Sequence, residues 1–459
     1  MGSEDVIESM TILELAREMN ARVEGSDVEF SQLSTDSRSL KAGDAYLALE
    51  GERFDGHDFV KAAEVAGAGA AIVSRKVDAE LPQLVVPDTH KALGAIARLN
   101  RMRSMATVIA LTGSQGKTTV KEMLAAILSN KASTLATPAN LNNTIGVPLT
   151  LLGLAREHEY AVIEMGANCA GEIAFSSQVT CPDIALITNA SAAHVEGFGS
   201  LQGIVEAKGE ILDSLTEEGI AVLNGDDPNV EQWIARSSHC RQILFSASGN
   251  KAMTYRAEDV SLNDKGQVSF RLSGPRGEVV IALQLLGVHN VANALAAAAV
   301  ALEAGASLDD VRDGLAGLKP VPGRLVSMPG LGNSLLIDDT YNASPNSFFA
   351  AIDVLKWLPG RQVLVAGDMK ELGDEAESSH FAVGEYARKA GIPELWVTGE
   401  YAEKMAAGFG SDAKIFPDQE SLKNHCIEQA DSNLVFLIKG SRGAHMEVVL
   451  NKLKLKGDA

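Results

Sequence analysis

Aromatic residues are scarce in this sequence, and cations are outnumbered by anions. Aromatics make up 5% of the 459 residues, which is too few for the stacking platforms that bind single-stranded nucleic acid. The formal net charge is −20, from 40 basic and 60 acidic residues, so the surface repels nucleic acid and anionic membranes. An anionic ligand therefore needs a local pocket of backbone amides, lysines and arginines.

Long apolar runs and cysteine pairs are missing as well. The longest apolar run, at residues 294–302, is far too short to span a bilayer, and the N-terminus lacks the basic and apolar stretches of a secretory signal. The four cysteines form no C-x-x-C pair and are too few for a disulfide scaffold. They are Cys169, Cys181, Cys240 and Cys426. We therefore expect scattered core thiols, no membrane insertion and a cytoplasmic location.

The overall composition is that of an ordinary globular protein. Hydrophobic residues account for 46% and charged residues for 22%, and the length predicts about three domains. Short apolar strands alternate with helical stretches, which predicts an α/β fold with a parallel sheet covered on both faces in the centre. The first unit ends near residue 100, and a third begins near residue 320.

Polar clusters follow the strands of the second and third units. In the third unit these are PGR (322–324), DDTYNASP (338–345), GDMKELG (367–373) and KGSRG (439–443). Ordinary loop polarity and surface ion pairs explain any one cluster as well as a site does. Because open α/β sheets bind ligands beyond the carboxyl ends of their strands, the clusters together favour one site between two units, suited to an anionic substrate.

The strongest single motif is GSQGKTT at residues 113–119, which follows an apolar strand and precedes a helix, as a phosphate-binding loop does. Gly113 and Gly116 allow backbone amides to turn towards phosphate oxygens. Lys117 can reach the β- and γ-phosphates, and the Thr118 hydroxyl can hold Mg²⁺. Leu111 stands where the usual G-x-x-x-x-G-K spacing has its first glycine. A chance glycine-rich turn is the alternative, and the Lys-Thr pair at the helix start favours phosphate binding.

Metal ligands for a nucleotide are expected at neighbouring strand ends. Glu164 ends one strand and His194 follows another, beside the predicted P-loop. Isolated residues of these types are more often structural, but their position favours metal binding. The aspartates at 226–227 fit a metal site and a turn equally well. Asn290 and Asn293 share a helix face, where they could contact an adenine edge or cap the helix.

Taken together, the motifs resemble the Mur ligase family of cell-wall enzymes over most of the chain. Any one string is modest evidence, but the ordered set is highly specific. The strings are STDSR (34–38), TGSQGKTT (112–119), TPANLNNTIGVPLTLL (137–152), VIEMGAN (162–168), AHVEGFGS (193–200), EAKGEIL (206–212), NGDDPN (224–229), GVHNVANALAA (287–297), PGRL (322–325), DDTYNASPNS (338–347), GDMKELG (367–373) and KGSR (439–442).

The resemblance implies a UDP-substrate-binding domain at residues 1–100, a central ATP-binding domain at 101–318 and a C-terminal Rossmann-like domain at 319–459. The strings NLNNTIGVPLTLL and GDMKELG are similar to the branch that uses D-alanyl-D-alanine. The resemblance therefore implies that ATP, with Mg²⁺, phosphorylates the terminal carboxylate of UDP-N-acetylmuramoyl-tripeptide. The amine of D-alanyl-D-alanine then attacks the acyl phosphate, in the synthesis of peptidoglycan precursors. We expect a monomer.

The resemblance also assigns roles to individual residues. The residues implied to bind ATP are Gly113, Ser114, Gln115, Gly116, Lys117, Thr118, Thr119, Asn290, Asn293, Arg324 and Asp339. The implied metal ligands are Thr118, Glu164, His194 and Lys208, and the implied catalytic residues are Lys117, Glu164, His194 and Lys208. The implied substrate contacts are Thr35, Asp36, Ser37, Arg38, Asn140, Asn143, Asn342, Lys439 and Arg442. Lys208 matches a family lysine that can be carbamylated, and a surface ion pair with Glu206 or Glu210 is the alternative.

Three other functions remain as alternatives. A folylpolyglutamate synthase shares the ATP chemistry, but a first unit containing STDSR favours a UDP-sugar substrate. A P-loop GTPase switch requires an N-K-x-D string after a strand, and the sequence has none. A nucleotide sensor without catalysis would not hydrolyse ATP in response to both peptide substrates.

Overall fold

The computed structural model describes residues 8–51, 54–191 and 195–455, and the side chains of residues 195 and 196 are not described. Three sheets, of five, nine and six strands, follow one another along the described chain. The prediction of an α/β fold with a mainly parallel central sheet is confirmed.

The first unit contains a small mixed sheet of five strands and two separate two-stranded sheets. Its strands are β1 (Met10–Thr11), β2 (Arg22–Glu24), β3 (Glu29–Phe30), β4 (Leu33–Ser34), β5 (Ala45–Leu47), β6 (Glu50–Gly51), β7 (Phe54–Asp55), β8 (Ala70–Val73) and β9 (Gln83–Val85), and its helices are α1 (Ile12–Met19), α2 (Val60–Val65) and α3 (Thr89–Met102). The main sheet has the order β2-β9-β8-β5-β4, and only β2 runs antiparallel to its neighbour. A 3₁₀ turn at Gly56–Phe59 leads directly into α2.

The second unit contains the large sheet. Its strands are β10 (Thr107–Thr112), β11 (Thr134–Ala136), β12 (Tyr160–Glu164), β13 (Ile184–Ile187), β14 (Ile220–Asn224), β15 (Arg241–Ser246), β16 (Tyr255–Leu262), β17 (Gln267–Gly274) and β18 (Gly277–Leu286). Its helices are α4 (Lys117–Ser129), α5 (Gly146–Leu152), α6 (Glu172–Thr180), α7 (Val195–Phe198), α8 (Leu201–Gly209), α9 (Val230–Arg236), α10 (His289–Glu303) and α11 (Leu308–Ala316).

The order of the large sheet is β11-β12-β10-β13-β14-β15-β16-β17-β18. The strands from β11 to β16 in this order are parallel, and β17 and β18 continue the sheet as antiparallel neighbours. Strands β12 and β13 are buried on both faces, which explains their uninterrupted apolar sequences. Helix α4 begins at Lys117, directly after Gly116 of the GSQGKTT motif.

The third unit is a six-stranded sheet with the order β19-β20-β24-β21-β22-β23, in which only β19 is antiparallel to its neighbour. Its strands are β19 (Val326–Pro329), β20 (Leu335–Asp339), β21 (Arg361–Ala366), β22 (Glu394–Thr398), β23 (Ala413–Phe416) and β24 (Leu434–Lys439). Its helices are α12 (Pro345–Leu355), α13 (Ala376–Lys389), α14 (Ala402–Phe409), α15 (Gln419–Gln429) and α16 (Glu447–Leu453).

Helix α3 joins the first unit to the second. The buried side chains Leu93 and Ile96 of α3 belong to the same apolar core as Val147 and Ile173 of the second unit. The buried Asn100 amide donates hydrogen bonds to the carbonyls of Leu151 (2.8 Å) and Leu154 (2.9 Å), at the end of α5. The first two units therefore share one hydrophobic core.

The cysteines only partly match the expectation of core thiols. All four are free, and Cys426 is buried, but Cys181 and Cys240 are half-buried and Cys169 is exposed. Cys169 follows the end of β12 in a polar loop, where no apolar layer covers it. No helix in the described part of the chain is long and apolar enough to cross a membrane.

Candidate active site

A cavity of about 570 Å³ lies between the second and third units. It is lined by the P-loop, the carboxyl ends of β12 and β13, the start of α10 and the loops after β20, β21 and β24. The predicted convergence of strand ends on one site is therefore present in the structure.

The P-loop is shaped by close contacts that leave no room for side chains at its glycines. A Cβ at Gly113 would overlap the Thr188 hydroxyl, and one at Gly116 (φ 79°) would overlap the Asn293 amide oxygen. Asn189 fixes the loop between them, because its Oδ1 accepts from the Gln115 amide (3.0 Å) and its carbonyl accepts from the Ser114 amide (3.0 Å). The backbone of residues 113–116 is thus held in one conformation by its contacts with Asn189 and with the residues that face its glycines.

The Lys117 ammonium folds back over the P-loop. It donates to the carbonyls of Gly113 (2.6 Å) and Ser114 (3.3 Å). Burial lowers the pKa of Lys117, the Arg324 cation adds to this effect, and the Glu164 carboxylate opposes it. Carbonyl oxygens are weak partners for a cation, so an arriving phosphate can replace them.

Glu164, the last residue of β12, presents one occupied and one open carboxylate oxygen. Oε1 accepts from Asn142 Nδ2 (2.8 Å) and from the Thr118 hydroxyl (3.1 Å). Oε2 is buried and has no hydrogen-bond partner among the described residues. An orphaned buried carboxylate oxygen next to a threonine hydroxyl is a hard oxygen donor set, so these residues fit Mg²⁺. His194, the third predicted ligand, lies outside the described residues.

Lys208 lies on α8 with its side chain buried at the cavity wall. Its Nζ is 5.6 Å from the centre of the Phe198 ring, and within the described residues it has no hydrogen-bond partner. Burial, and then repulsion from Lys117, lower the pKa of Lys208 to about 7. A surface ion pair with Glu206 or Glu210 is therefore wrong.

Arg324 connects the third unit to the P-loop. Its Nη2 donates to the Thr118 hydroxyl (3.0 Å), and its guanidinium carbon lies 4.4 Å from the centre of the Tyr341 ring. A second, weaker contact joins Gln115 Nε2 to the Ser344 hydroxyl (3.4 Å). The two units thus meet directly on the phosphate loop.

Asp339 and Lys439 form a buried ion pair at the ends of β20 and β24, with Nζ and Oδ2 2.5 Å apart. Lys439 also donates to the Asn342 carbonyl (3.0 Å). Burial raises the pKa of Asp339, and the Lys439 ammonium opposes that shift. Three predicted residues, Asp339, Lys439 and Asn342, are thereby linked at the third-unit wall of the cavity.

Asn290 and Asn293 lie on the predicted shared face of α10 and bind each other. Asn293 Nδ2 donates to Asn290 Oδ1 (2.9 Å), and Asn290 Nδ2 donates to the Leu286 carbonyl (2.8 Å). Both residues line the cavity. Both side-chain amides therefore help to hold the start of α10.

The remaining predicted residues are divided between the cavity and other places. Asn143, Asn342 and Arg442 line the cavity, whereas Asn140 is exposed outside it. The segment Thr35, Asp36, Ser37 and Arg38 follows β4 in the first unit and does not contribute to the cavity lining.

Two sets of predicted residues, Asp36 with Arg38 and Asp226 with Asp227, bind other groups of the protein. The Arg38 side chain is 88% exposed and pairs with Asp36 (2.7 Å), which lowers the pKa of that carboxyl to about 2. Asp226 accepts from the hydroxyls of Ser246 and Ser248, and Asp227 accepts from the amides of Ala190 and Asn229, so both carboxylates already bind protein donors.

Several residues of the site were not predicted. Asn142 orients Glu164, and Asn189 holds the P-loop. Lys319, Lys370 and Glu371 line the cavity. The strings NLNN and TNAS contain the two asparagines, but asparagine in a loop is read first as a turn residue, so its site role was not visible.

Three family models match the chain: "Mur ligase family, catalytic domain" at residues 29–101, "Mur ligase middle domain" at 111–301 and "Mur ligase, glutamate ligase domain" at 323–442. The UDP-N-acetylmuramoyl-tripeptide–D-alanyl-D-alanine ligase of Escherichia coli (strain K12) is 45% identical over 453 residues, which cover 98% of this chain and 99% of that protein.

Solved structures agree with these matches. A crystal structure of MurF from Acinetobacter baumannii has a TM-score of 0.92 at 38% identity, covering 98% of this chain and 99% of that one. The MurF ligase of Thermotoga maritima in complex with ADP has a TM-score of 0.83 at 31% identity, covering 92% and 96%. Since sequence, family models and fold agree along nearly the whole length, the chain belongs to the Mur ligase family.

Proposed function

We propose that this chain is an ATP-dependent ligase that adds D-alanyl-D-alanine to UDP-N-acetylmuramoyl-tripeptide, in the synthesis of peptidoglycan precursors. The observation that carries the proposal is the 45% identity, over 98% of the chain, to the E. coli enzyme of that name. The Bacillus subtilis protein of the same name is 35% identical over 92% of the chain. A folylpolyglutamate synthase shares only the fold, at 16% identity, so that alternative is not favoured.

The reaction needs a cavity that concentrates positive charge. A carboxylate is a poor electrophile until it carries a good leaving group, and phosphoryl transfer brings it close to three phosphates. The cavity offers cations from both units, although the protein as a whole is strongly acidic. They are Lys117, Lys319, Arg324, Lys370, Lys439 and Arg442.

Phosphate binding falls to the P-loop and Arg324. The loop amides are proposed to donate hydrogen bonds to the phosphate oxygens, and the Lys117 ammonium exchanges the carbonyls of Gly113 and Ser114 for the β- and γ-phosphates. Arg324, which holds the Thr118 hydroxyl across the unit boundary, lies where negative charge accumulates. The γ-phosphoryl group then moves to the tripeptide carboxylate, with cleavage of its bond to the ADP oxygen.

Mg²⁺ would be held by Thr118, Glu164 and His194, with Lys208 contributing as a carbamate. The ion supplies charge neutralisation for the phosphates when bound. The lowered pKa of Lys208 supports the carbamate, because a neutral amine is the form that reacts with CO₂.

The amide bond forms on the third-unit side of the cavity. The neutral amine of D-alanyl-D-alanine attacks the acyl phosphate carbon, the nitrogen loses a proton, and phosphate leaves with the electron pair of the carbon–oxygen bond. Asn342, Lys439 and Arg442 are the proposed contacts for this substrate. The Lys439–Asp339 pair fixes the ammonium, so it serves as a stationary charge rather than as a base.

The first unit is proposed to hold the UDP end of the long substrate. Residues 34–38 follow strand β4 at the carboxyl edge of its sheet, the edge at which ligands of open α/β sheets bind. The units proposed are 1–100, 101–318 and 319–459. A monomer in the cytoplasm is proposed as well.

The test is a coupled assay with ATP, UDP-N-acetylmuramoyl-tripeptide and D-alanyl-D-alanine, read by phosphate release and by the mass of the product. We expect product only when all three are present. Phosphate release that is indifferent to the dipeptide, or ligation of glutamate to a folate under the same conditions, would overturn the proposal. Size determination by light scattering tests the monomer.

A further inference from the structure

A second lysine of helix α4, Lys121, is buried one turn beyond Lys117 and does not line the cavity. Its side chain is 2% exposed, and its Nζ lies 2.7 Å from Oε1 of Glu122. The same ammonium donates to the carbonyl of Thr137 at 2.8 Å. Burying a cation costs desolvation free energy. If this position between helix and sheet had no further role, an apolar side chain would be more stable there.

Thr137 is the point where strand β11 leaves the sheet. Its amide still continues the ladder by donating to the Val162 carbonyl (3.0 Å). The next donor of β12, the amide of Glu164, binds the Thr137 hydroxyl instead (2.9 Å). The Thr137 carbonyl is thereby free to accept from Lys121, and the Thr137 side chain fixes the backbone of Glu164.

The loop that starts after Thr137 returns to the Glu164 carboxylate. Ala139 has φ 48°, a left-handed conformation that a residue with a side chain adopts only when its surroundings enforce it. Asn142 then donates to Glu164 Oε1 (2.8 Å), and its carbonyl accepts from Gly166 (2.8 Å). Both the backbone and the side chain of Glu164 are therefore held by residues that Lys121 anchors at Thr137.

We propose that Lys121 is a positioning residue for the metal site: by fixing Thr137 and the loop 138–145, it holds Glu164 so that Oε2 faces the cavity without a protein partner. The proposal rests on the proposed function, because it requires that Mg²⁺ accompanies the nucleotide. The long side chain of Lys121 carries its ammonium donor from α4 to the Thr137 carbonyl. Methionine has a similar length but no hydrogen-bond donor.

The test compares ADP binding to wild-type protein and Lys121→Met, by calorimetry, once with Mg²⁺ and once with EDTA. We expect the affinity in EDTA to be unchanged. The gain in affinity produced by Mg²⁺ should fall about 10-fold or more, as on loss of outer-shell partners of metal ligands. In the ligase assay, the half-saturating Mg²⁺ concentration should rise while the KM for the UDP-substrate stays constant.

Two controls separate positioning from general stability. Asn100→Ala removes another buried donor, at the junction of the first two units. This variant should have a lower Tm, but Mg²⁺ should increase its affinity for ADP as much as in the wild type. If Lys121→Met does not fold, Thr137→Val takes its place. That variant loses the acceptor for the Glu164 amide, should lose the Mg²⁺ gain and should be rescued by Thr137→Ser.

The positioning role would be overturned if Mg²⁺ increased the ADP affinity of folded Lys121→Met, or of Thr137→Val, as much as it does in the wild type. Failure of the proposed function looks different. In that case the wild-type protein would form no ligation product from ATP, UDP-N-acetylmuramoyl-tripeptide and D-alanyl-D-alanine, whatever its affinity for ADP.

Discussion

Arg324 donates a hydrogen bond to the hydroxyl of Thr118, 3.0 Å away, and so links the third unit to the P-loop of the second. The same hydroxyl contacts Glu164 Oε1 (3.1 Å). Arg324 therefore touches the group proposed to bind Mg²⁺, and its planar fork can bind that hydroxyl and a phosphate oxygen together.

Arg324→Lys should lower kcat because a single ammonium cannot reproduce the fork. We expect a loss of about 10²- to 10³-fold, the range seen when one donor to a developing charge is removed. The KM for the UDP-substrate should change little. Steady-state kinetics with each substrate varied in turn measure the effect, and a turnover within twofold of wild type would contradict it.

Lys117→Ala should leave a folded protein with almost no ligase activity. The ammonium is the cation of the P-loop that reaches the phosphates, and loss of such a charge costs orders of magnitude in rate. Circular dichroism checks the fold, and phosphate release measures turnover. Lys131→Ala, which removes an exposed lysine just after α4, is the matched control and should retain full activity.

Lys208 should work as a carbamate above neutral pH. With its pKa lowered to about 7, the amine is mostly protonated and unreactive at pH 6 and mostly neutral at pH 8. Added bicarbonate should therefore stimulate CO₂-depleted enzyme at pH 8 and have little effect at pH 6. Lys208→Ala should be inactive and partly restored by short-chain carboxylic acids. A fully active Lys208→Ala variant would contradict the carbamate role of Lys208.

Arg38→Ala should raise the KM for the UDP-substrate far more than the KM for ATP. The Arg38 side chain is 88% exposed and pairs only with its neighbour Asp36 among the described residues, so its removal should not disturb the fold. Arg22→Ala, which removes an arginine from a similar exposed pair with Glu24, is the control. Equal rises in both KM values would assign Arg38 a structural role.

The sequence was sufficient for features that depend on local pattern. The α/β class and the P-loop before a helix follow from the spacing of apolar residues and glycines, and Glu164 was found because it ends an apolar strand. The strands run one or two residues beyond their apolar cores, so Asp339 and Lys439 belong to strand ends rather than to loops.

Features that depend on long-range contacts were not visible. The hydrogen bonds of Asn142 and Lys121 join residues 22 and 16 positions apart, and no spacing rule predicts them. The antiparallel strands β17 and β18 extend the central sheet beyond the predicted parallel part. The surface ion pair that was the alternative for Lys208 could not be excluded from the sequence, because its helix carries acidic neighbours and only packing shows that its side chain is buried.

Helix α3 has a consequence for how the protein unfolds. Its Leu93 and Ile96 face a core that belongs equally to the ATP-binding unit, and Asn100 satisfies carbonyls at the end of α5. The third unit has two other cores, one of which also takes in Leu286 from the end of β18. Residues 8–316 should therefore melt as a single cooperative block, and a chain cut near residue 100 would expose the apolar face of α3 and aggregate instead of yielding an isolated first unit.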